Sequence, residues 1–589
     1  MCTACQWAPH FASRGTETSA RTTPSATTAA PSDTPAPEAD DAADVVFRSG
    51  RVYTVAGPQE WAQAVAVKGD SITYVGDDAG ADAFIGPATR VVDLDGRLLM
   101  PGFVEGHTHP FLGAFLTSGV DLQVPTLADA LSAIEAYAKA NPEGPVRGFG
   151  WRVDMFGPQG PTRGDLDRIL PDRPAFFFAI DGHSLWANSK ALEIAKVTRD
   201  TPDPIPRFSY YARDRNGDPT GYVLEVNAVL GLVDAVEPIS PQTMGRLMEA
   251  WLPKATAAGI TTLFDAGVPP IGDDQAALLE LYTDVDKRGA LPVRVVACYT
   301  VKAPPVDTAT QKLLETRHQV SSDLVQVDVV KIIGDGTQEG YTAWLLEPYA
   351  DQPDSTGGSP FTPEQWQELI GAVDAAGFDV HVHACGERTT RTALDAIEQA
   401  IATNPPRDRR HAIAHLVYVD DSDNERFAEL GVTAQFSANW MSGDPDTLQN
   451  LAERYGPERA AKMYRPKTVL RSGGRISLGT DWPAAGYFST YRPLDSIQIG
   501  VTRQLVGEPD APVLAPADER LTVAEAVHAN TLGAAHQIRM DTEVGSIEVG
   551  KRADLIVLDR NVFEGDPHDI HRANVVMTMM NGQVQLEVK

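Results

Sequence analysis

Histidine, lysine and aspartate recur at the ends of short apolar runs in this sequence, where they could hold a metal ion. The stretch "GHTHP" carries two histidines one residue apart, His107 and His109. Residues two apart on a β-strand point to the same side, so both imidazoles could reach one ion. Taken alone, however, this pair fits an ordinary turn as well as a metal site.

Further runs carry groups of the same chemistry: Lys331 in "VVKIIGDG", His381 and His383 in "DVHVHACGE", His411 and His415 in "RHAIAHLVYV", and Asp481 in "RISLGTDWP". A lysine in an apolar run is costly to bury unless it is paired or modified, and a lone strand-end aspartate is more often a helix N-cap.

As a set, imidazoles and a carboxylate match zinc chemistry. The metal would lower the pKa of bound water and supply hydroxide, with Asp481 as general base. The residues predict a metal-dependent hydrolase.

The elements that must position these groups alternate between strand and helix over about 400 residues, which is typical of a parallel sheet closed by helices. Apolar strand-like runs are "PVRGFGW", "PAFFFAI", "ITTLFDAG", "VRVVACYT", "VVKIIGDG", "DVHVHACG", "HAIAHLVYV", "VTAQFSAN" and "RISLGTD". Helical runs are "TLADALSAIEAYAKA", "PQTMGRLMEAWLPKATAAG", "TPEQWQELIGAVDAAG" and "ERTTRTALDAIEQAIA". We predict an α/β fold, a (β/α)8 TIM-like barrel whose catalytic groups lie at the carboxyl ends of its strands.

Short strands separated by glycine turns occupy both ends of the folded part, as in "VVFRSGRVYTV" and "NVVMTMMNGQVQLEV". A small β-sandwich domain assembled from both ends is the economical interpretation. The predicted domains are a disordered Ser/Thr/Ala/Pro-rich tail (1–44), the first part of the sandwich (45–100), the barrel (101–535, with an insertion at about 155–250) and the second part of the sandwich (536–589).

Composition limits the partners. The 589 residues carry 50 basic and 80 acidic side chains, a formal charge of −30, which argues against nucleic acid or an anionic membrane. No apolar run approaches the roughly 18–20 residues of a membrane span, and the N-terminus lacks a signal-peptide pattern, so we expect a cytoplasmic protein. Four cysteines make no disulfide framework, and the Cys2/Cys5 pair is interpreted as part of the tail. A homodimer is expected only because it is the commonest soluble assembly.

The motifs, in their order, resemble the amidohydrolase superfamily, specifically amidohydrolase family 3, the YtcJ-like group that includes N-substituted formamide deformylases. The resemblance covers roughly residues 45–585 and rests on "PGFVEGHTHP", "DGHSLWANSKAL", "GDPTGYVLE", "GITTLFDAG", "VVKIIGDGTQEG", "HVHACGERTTRTALDAIE", "HAIAH", "SLGTDWP", "LTVAEAVHANTLGAAHQI" and "GSIEVGKRADLIVLD".

The resemblance implies a metal centre and assigns roles within it. The implied ligands are His107, His109, Lys331, His383, His415 and Asp481. Lys331 would be carboxylated on its amine and would ligate or bridge the metals, and Asp481 would also shuttle the proton. His183, in "DGHSLW", would help to polarise the substrate carbonyl. The implied cofactor is one or two zinc ions, although the same ligands accept other divalent metals.

The sequence departs from the family pattern beside these ligands. Ala414 stands where a glutamate usually precedes the sixth-strand histidine, Glu387 replaces the usual aspartate after "HAxG", and Cys385 lies close by. These changes leave the implied ligands in place and are expected to alter substrate choice or metal affinity. His381 and His411 are interpreted as supporting residues.

The expected substrate is a small molecule with an N-acyl, N-formyl or carbamate-like amide, cleaved at a C–N bond that is not a peptide bond. An apolar, partly aromatic pocket is expected from residues near predicted strand ends or motif segments, about half of them being core: Trp151, Arg152, Trp186, Tyr222, Tyr341, Trp344, Trp440 and Trp482. A hydrolase of a cyclic amide, an ester or a lactone would use the same ligands. A non-catalytic metal-binding scaffold is the remaining alternative, and it would have lost ligands that this sequence keeps.

Overall fold

The structure is a computed structural model that describes residues 42–57, 60–157, 159–268, 274–445, 447–484 and 486–588. Of the predicted tail it describes only residues 42–44, so Cys2 and Cys5 lie outside the described residues. Within the described ranges, no helix combines the length and the apolar character that a membrane crossing would need.

Eight parallel strands form the central sheet of the described chain. We label them β1–β8 in chain order: Phe103–Thr108, Ile260–Asp265, Arg294–Val301, Val325–Ile333, Asp379–Ala384, Ala412–His415, Thr433–Ser437 and Arg475–Gly479. Each strand pairs with the next along the chain, β1 with β2 through β7 with β8. All carboxyl ends therefore meet at one rim.

The last strand returns to the first at this rim, where the amide of Asp481 donates to the carbonyl of His107 at 2.8 Å. The amide of Thr480 also donates to Glu105 Oε1 at 2.7 Å. The predicted (β/α)8 barrel is confirmed.

Helices cover the outside of the barrel, so its strands are apolar on both faces. One helix begins at Pro363 with a capping box between Thr362 and Gln365, which satisfies free amides of its first turn. The four predicted helical runs all lie in helices. The α-helices are Asp78–Ala81, Pro110–Leu116, Leu127–Ala140, Arg163–Asp167, Ser189–Ile194, Val226–Val236, Pro241–Ala257, Ala276–Lys287, Ala309–Gln319, Pro363–Ala375, Glu387–Thr403, Arg426–Leu430, Ala452–Tyr455, Pro457–Ala460, Pro466–Arg471, Pro493–Thr502, Val523–Ala529 and Leu532–Gln537.

A separate six-stranded sheet is inserted between β1 and β2. In spatial order its strands are Tyr210–Arg213, Pro219–Leu224, Ser184–Ala187, Ala175–Ala179, Val146–Trp151 and Val120–Asp121. The run "PVRGFGW", which the sequence pattern placed among the barrel strands, is one of its interior strands, so that part of the prediction is wrong. The run "PAFFFAI", which lies within the predicted insertion at about 155–250, is another interior strand. Both strands are buried on both faces, and burial of this kind gives the same apolar run in either sheet.

Two further sheets form the small domain. One contains Ser71–Gly76, Ala64–Lys68, Val45–Arg48 and Arg90–Asp93, and the other Gln583–Glu587, Val575–Met580, Leu555–Leu558, Leu98–Pro101, Arg51–Tyr53 and Trp61–Ala62. They share an apolar core that includes Phe47, Val65, Leu99, Val557 and Met579. The predicted sandwich built from both ends of the chain is confirmed.

Candidate metal centre

The end of the first strand and the segment after the last strand bring two histidines to one carboxylate. Nε2 of His107 lies 3.4 Å from Asp481 Oδ1, and Nε2 of His109 lies 3.5 Å from the same oxygen. His107 is fully buried at the end of β1. Nδ1 of His109 lies 3.0 Å from the carbonyl of Gly267, a contact that holds the ring with Nε2 toward the aspartate. His107 near the end of β1 and His109 just after the strand thus converge on one oxygen.

His415, at the end of β6, approaches the other oxygen of the same carboxylate. Its Nδ1 lies 3.5 Å from Asp481 Oδ2 and 2.9 Å from Ser437 Oγ. Its Nε2 is buried and has no hydrogen-bond partner among the described residues. One ligand atom each of His107, His415 and Asp481 lie within 4.8 Å of one another. A buried nitrogen without a partner is expensive unless an unseen group contacts it, so His415 points to a bound cation.

His383 and Lys331 complete the cluster from β5 and β4. The ring of His383 lies 4.4 Å from that of His415, measured between centroids. Nζ of Lys331 lies 3.1 Å from Nε2 of His107, and the lysine is 1% exposed. The six residues predicted as ligands therefore surround one small volume at the carboxyl rim of the barrel.

The protonation of these groups suits a metal. Burial, reinforced by neighbouring positive charge, lowers the pKa of His107, His383 and His415 well below the ordinary value. These rings are therefore neutral, which is the form that binds a metal ion. Burial also lowers the pKa of Lys331 to about 8. Neutral imidazoles around a carboxylate, with one nitrogen unpartnered, fit a divalent cation such as zinc.

The backbone is strained at this rim. His415 has φ +75° and Asp481 has φ +58°, and Glu225 nearby has φ +68°. Left-handed backbone at such residues costs about 1–3 kcal/mol each and persists where the surrounding structure holds it. Strain at two groups of the cluster supports a functional role for the cluster.

His183 enters the same cavity from the inserted sheet. It lies in the turn between Ala175–Ala179 and Ser184–Ala187, and its ring stacks on that of His383 with centroids 4.9 Å apart. Its Nδ1 lies 2.7 Å from Glu225 Oε2, and Thr342 Oγ1 donates to the other oxygen of Glu225. Burial would lower the pKa of His183, but the charge and hydrogen bond of Glu225 outweigh it and raise the pKa to about 9.

A second group of possible ligands has a structural role. Asp335, His383 and Cys385 also offer atoms within 4.8 Å of one another. The carboxylate of Asp335 accepts hydrogen bonds from the backbone amides of Trp344, Cys385 and Gly386 and from Thr389 Oγ1, at 2.8–3.0 Å. Those donors occupy both oxygens, so Asp335 braces the loop after β5.

The remaining predicted residues lie outside the cluster. His381 Nε2 lies 2.9 Å from Nδ1 of His107, so this contact helps to orient the His107 ring. His411 lies at the opposite end of the barrel, between Asp374 and Asp379. The carboxylate of Glu387 accepts from the amide of Leu346.

The cavity above the cluster has a volume of about 120 Å³. Its lining includes His109, His183, Lys331, His383, His415 and Asp481, together with Leu112, Phe178, Val226, Val229, Leu230, Val268 and Ile333. Among the described residues that line it, none is one of the eight predicted for the pocket, so the choice of those residues is wrong, although the lining is largely apolar and includes the aromatic Phe178. Trp151, Trp186 and Tyr222 pack in the core of the inserted sheet, and Trp440 stacks on His415 from outside the cavity lining.

Glu225 is the functional candidate that sequence reasoning missed. It ends the apolar strand Pro219–Leu224, and a lone glutamate at that position in "GYVLEV" was the available signal. Nothing local indicates that it meets His183, because 42 residues separate the two.

Comparison with known proteins gives consistent matches. A model described as "Amidohydrolase family" matches residues 90–585. YtcJ of Bacillus subtilis is 28% identical over 92% of this chain and 99% of its own length. The N-substituted formamide deformylase of Arthrobacter pascens is 27% identical over 92% of this chain and 98% of its own.

A solved structure matches over a similar extent. The crystal structure of an uncharacterized metal-dependent hydrolase from Pyrococcus furiosus has a TM-score of 0.66 and 25% identity, covering 88% of this chain and 100% of that chain.

Proposed function

The chain belongs to the amidohydrolase family, and from that premise we propose that this hydrolase cleaves the C–N bond of a small amide, of N-acyl, N-formyl or carbamate type, with one or two zinc ions. The observation that carries the proposal is the convergence of His107, His109 and His415 on the carboxylate of Asp481. The deformylase named among the relatives supports the choice of an amide.

The cation would be held by the residues that surround the carboxylate: His107, His109, His383, His415, Asp481 and a carboxylated Lys331. When bound, such a cation lowers the pKa of a coordinated water and polarises a carbonyl. Carboxylation of Lys331 joins its neutral amine to carbon dioxide and releases one proton. The product carries a negative charge on the side chain whose Nζ lies 3.1 Å from His107 Nε2, and this charge would attract the cation.

Asp481 moves the proton in this proposal. It lies 3.4–3.5 Å from three imidazoles, and its backbone is fixed to the carbonyl of His107. A carboxylate held in this way can accept a proton from the attacking water and return it to the leaving nitrogen.

His183 stabilises the carbonyl oxygen in this proposal. Its Nδ1 is engaged by Glu225 at 2.7 Å, and with its pKa raised to about 9 the ring is protonated near neutral pH. A fixed N–H donor stabilises the negative charge that develops on the oxygen in the transition state.

A panel of substrates tests the proposal. Purified protein is stripped of metal, reloaded with Zn²⁺, and offered matched amides, carbamates, lactams, esters and lactones of similar size. We expect zinc-dependent release of the amine from an amide or carbamate. Turnover of esters or lactones alone would reject the C–N assignment, and turnover that survives complete metal removal would reject the metal.

A further inference from the structure

We propose that the helix Val226–Val236 is the wall of the cavity that selects the substrate, and that it takes an uncharged apolar substituent on the amide. The inference rests on the proposed hydrolase function and adds to it the part of the chain that chooses the substrate. It begins from the apolar residues that this helix presents to the cavity.

Three residues of this helix line the cavity: Val226, Val229 and Leu230. Their spacing, i, i+3 and i+4, places them on one face. Val233 lies on the same face one turn further along the helix and, like Leu232, is fully buried in the main core. A helix that borders a water-filled polar site would be expected to show polar residues there, so apolar residues on the cavity face indicate an apolar ligand group.

Other apolar side chains extend the wall. Leu112, Phe178, Val268 and Ile333 line the same cavity, and they come from the helix after β1, the inserted sheet, the end of β2 and β4. Four separate segments thus contribute apolar surface around one space, which is the usual arrangement of a small-molecule pocket with few polar groups.

Two polar residues of the lining are engaged within the protein. Gln275 donates to the carbonyl of Thr300 and accepts from its amide, both at 2.8 Å. Asp181 accepts from the amides of His183 and Ser184 and from Ser184 Oγ. Their hydrogen-bonding capacity is directed into the fold, so they do not favour a polar substituent.

The wall is fixed relative to His183. The amide of Glu225, the residue before the helix, donates to the carbonyl of His183 at 2.8 Å, while its carboxylate holds the imidazole. Ser209 Oγ accepts from the amide of Ala228 in the first turn. A substituent seated on the helix would therefore bring the amide carbonyl to a constant position beside His183.

Lys302 also lines the cavity. Its positive charge gives the competing prediction, in which the enzyme selects a substrate with a carboxylate. If this ammonium selected the substrate, a carboxylate on the substituent would be favoured over a neutral group of the same size. N-propylformamide and N-formylglycine are such a pair, and they separate the two ideas.

The experiment uses the zinc-loaded full chain and two series of amides. One runs from N-methylformamide to N-butylformamide, and the other from N-methylacetamide to N-methylpentanamide. We expect kcat/KM to rise about fourfold per added methylene in at least one series, and N-propylformamide to exceed N-formylglycine. Calorimetry measures Kd for the same amides in parallel. If the proposed hydrolysis is wrong but the apolar wall is right, turnover would be absent while Kd would still depend on chain length.

Variants place the effect on the helix. Leu230→Asn should lower the ratio of kcat/KM for N-butylformamide to kcat/KM for N-methylformamide about tenfold. Leu230→Arg should raise kcat/KM for N-formylglycine relative to kcat/KM for N-propylformamide. Val236→Thr, on the same helix but outside the cavity lining, is the matched control and should leave both ratios unchanged. The inference would be overturned if neither kcat/KM nor Kd changed with chain length. A wild-type preference for N-formylglycine over N-propylformamide would also overturn it. So would equal butyl-to-methyl ratios of kcat/KM in Leu230→Asn and Val236→Thr.

Discussion

The two ends of the barrel use the same residue types for opposite purposes. At the amino end, His411 lies between two carboxylates, 3.3 Å from Asp374 and 3.6 Å from Asp379, and arginines pair with both acids. At the carboxyl end, His415 has a buried Nε2 without a partner among the described residues. The two histidines are four residues apart in one run. Fully paired side chains at the amino end indicate a stabilising role. An unpartnered ring nitrogen at the carboxyl end indicates that a ligand binds there.

The arginines at the amino end show how complete the pairing is. Arg409 lies 2.8 Å from Asp374, and Arg407 and Arg539 lie 3.0 and 2.7 Å from Asp379. Both aspartates are at most 3% exposed. At the carboxyl end a single carboxylate, Asp481, serves three imidazoles. A residue's neighbours, rather than its type, therefore decide between the two functions.

The largest expected effect comes from Asp481→Asn. It keeps the shape of the side chain and removes its basicity, so kcat should fall by about 10²- to 10⁴-fold while the melting temperature stays close to wild type. Steady-state kinetics on a responsive amide and thermal denaturation measure the two quantities. Near-full turnover in this variant would remove Asp481 from the proton transfer.

Glu225→Gln should have a smaller effect at the same end. An amide in place of the carboxylate holds the His183 ring less firmly, and kcat should fall about 10- to 100-fold with little change in KM. Thr342→Val, which removes only the hydroxyl that donates to Glu225, should have a milder effect. If both variants kept wild-type kcat, Glu225 would not position His183.

A substitution at the amino end of the barrel should lower the free energy of unfolding rather than the turnover. Asp374→Asn leaves two arginines and His411 without their shared carboxylate, and we expect a loss of about 3 kcal/mol in the free energy of unfolding. The folded variant should keep kcat/KM within about twofold, because the network lies at the end of the barrel away from the cavity. Denaturant titration and kinetics on the folded protein check this. A fall in kcat/KM with unchanged stability would reverse the assignment.

Acid should weaken the amino end by a smaller amount. Burial would raise the pKa of Asp374, but hydrogen bonds from His411, Arg409 and Asn404 hold it well below its usual range. A depressed pKa contributes stability that is fully present above about pH 4, the unfolded value, and is lost as pH falls further. Wild type should therefore lose stability more steeply below pH 4 than Asp374→Asn. Equal slopes would show that Asp374 does not contribute.

Sequence predicted the barrel because its strands have local signatures, and the residues predicted as ligands lie together at its carboxyl rim. Seven of the nine apolar runs and "PGFVEGHTHP" became the eight barrel strands, and His107 and His109 come together where β1 ends. The strand Val146–Trp151 was misplaced because buried strands look alike in any sheet. Trp151 and Trp186 were misread for a related reason, since the sequence does not show which layer an aromatic residue packs against.

The most direct measurement is the affinity for Zn²⁺ of two matched variants, His415→Ala and His411→Ala, determined by competition with a chromophoric chelator. The wild-type protein and His411→Ala should bind with similar Kd, whereas His415→Ala should bind about a hundredfold more weakly or worse. Equal affinity in the two variants, or loss confined to His411→Ala, would contradict the assignment of the carboxyl end as the metal centre.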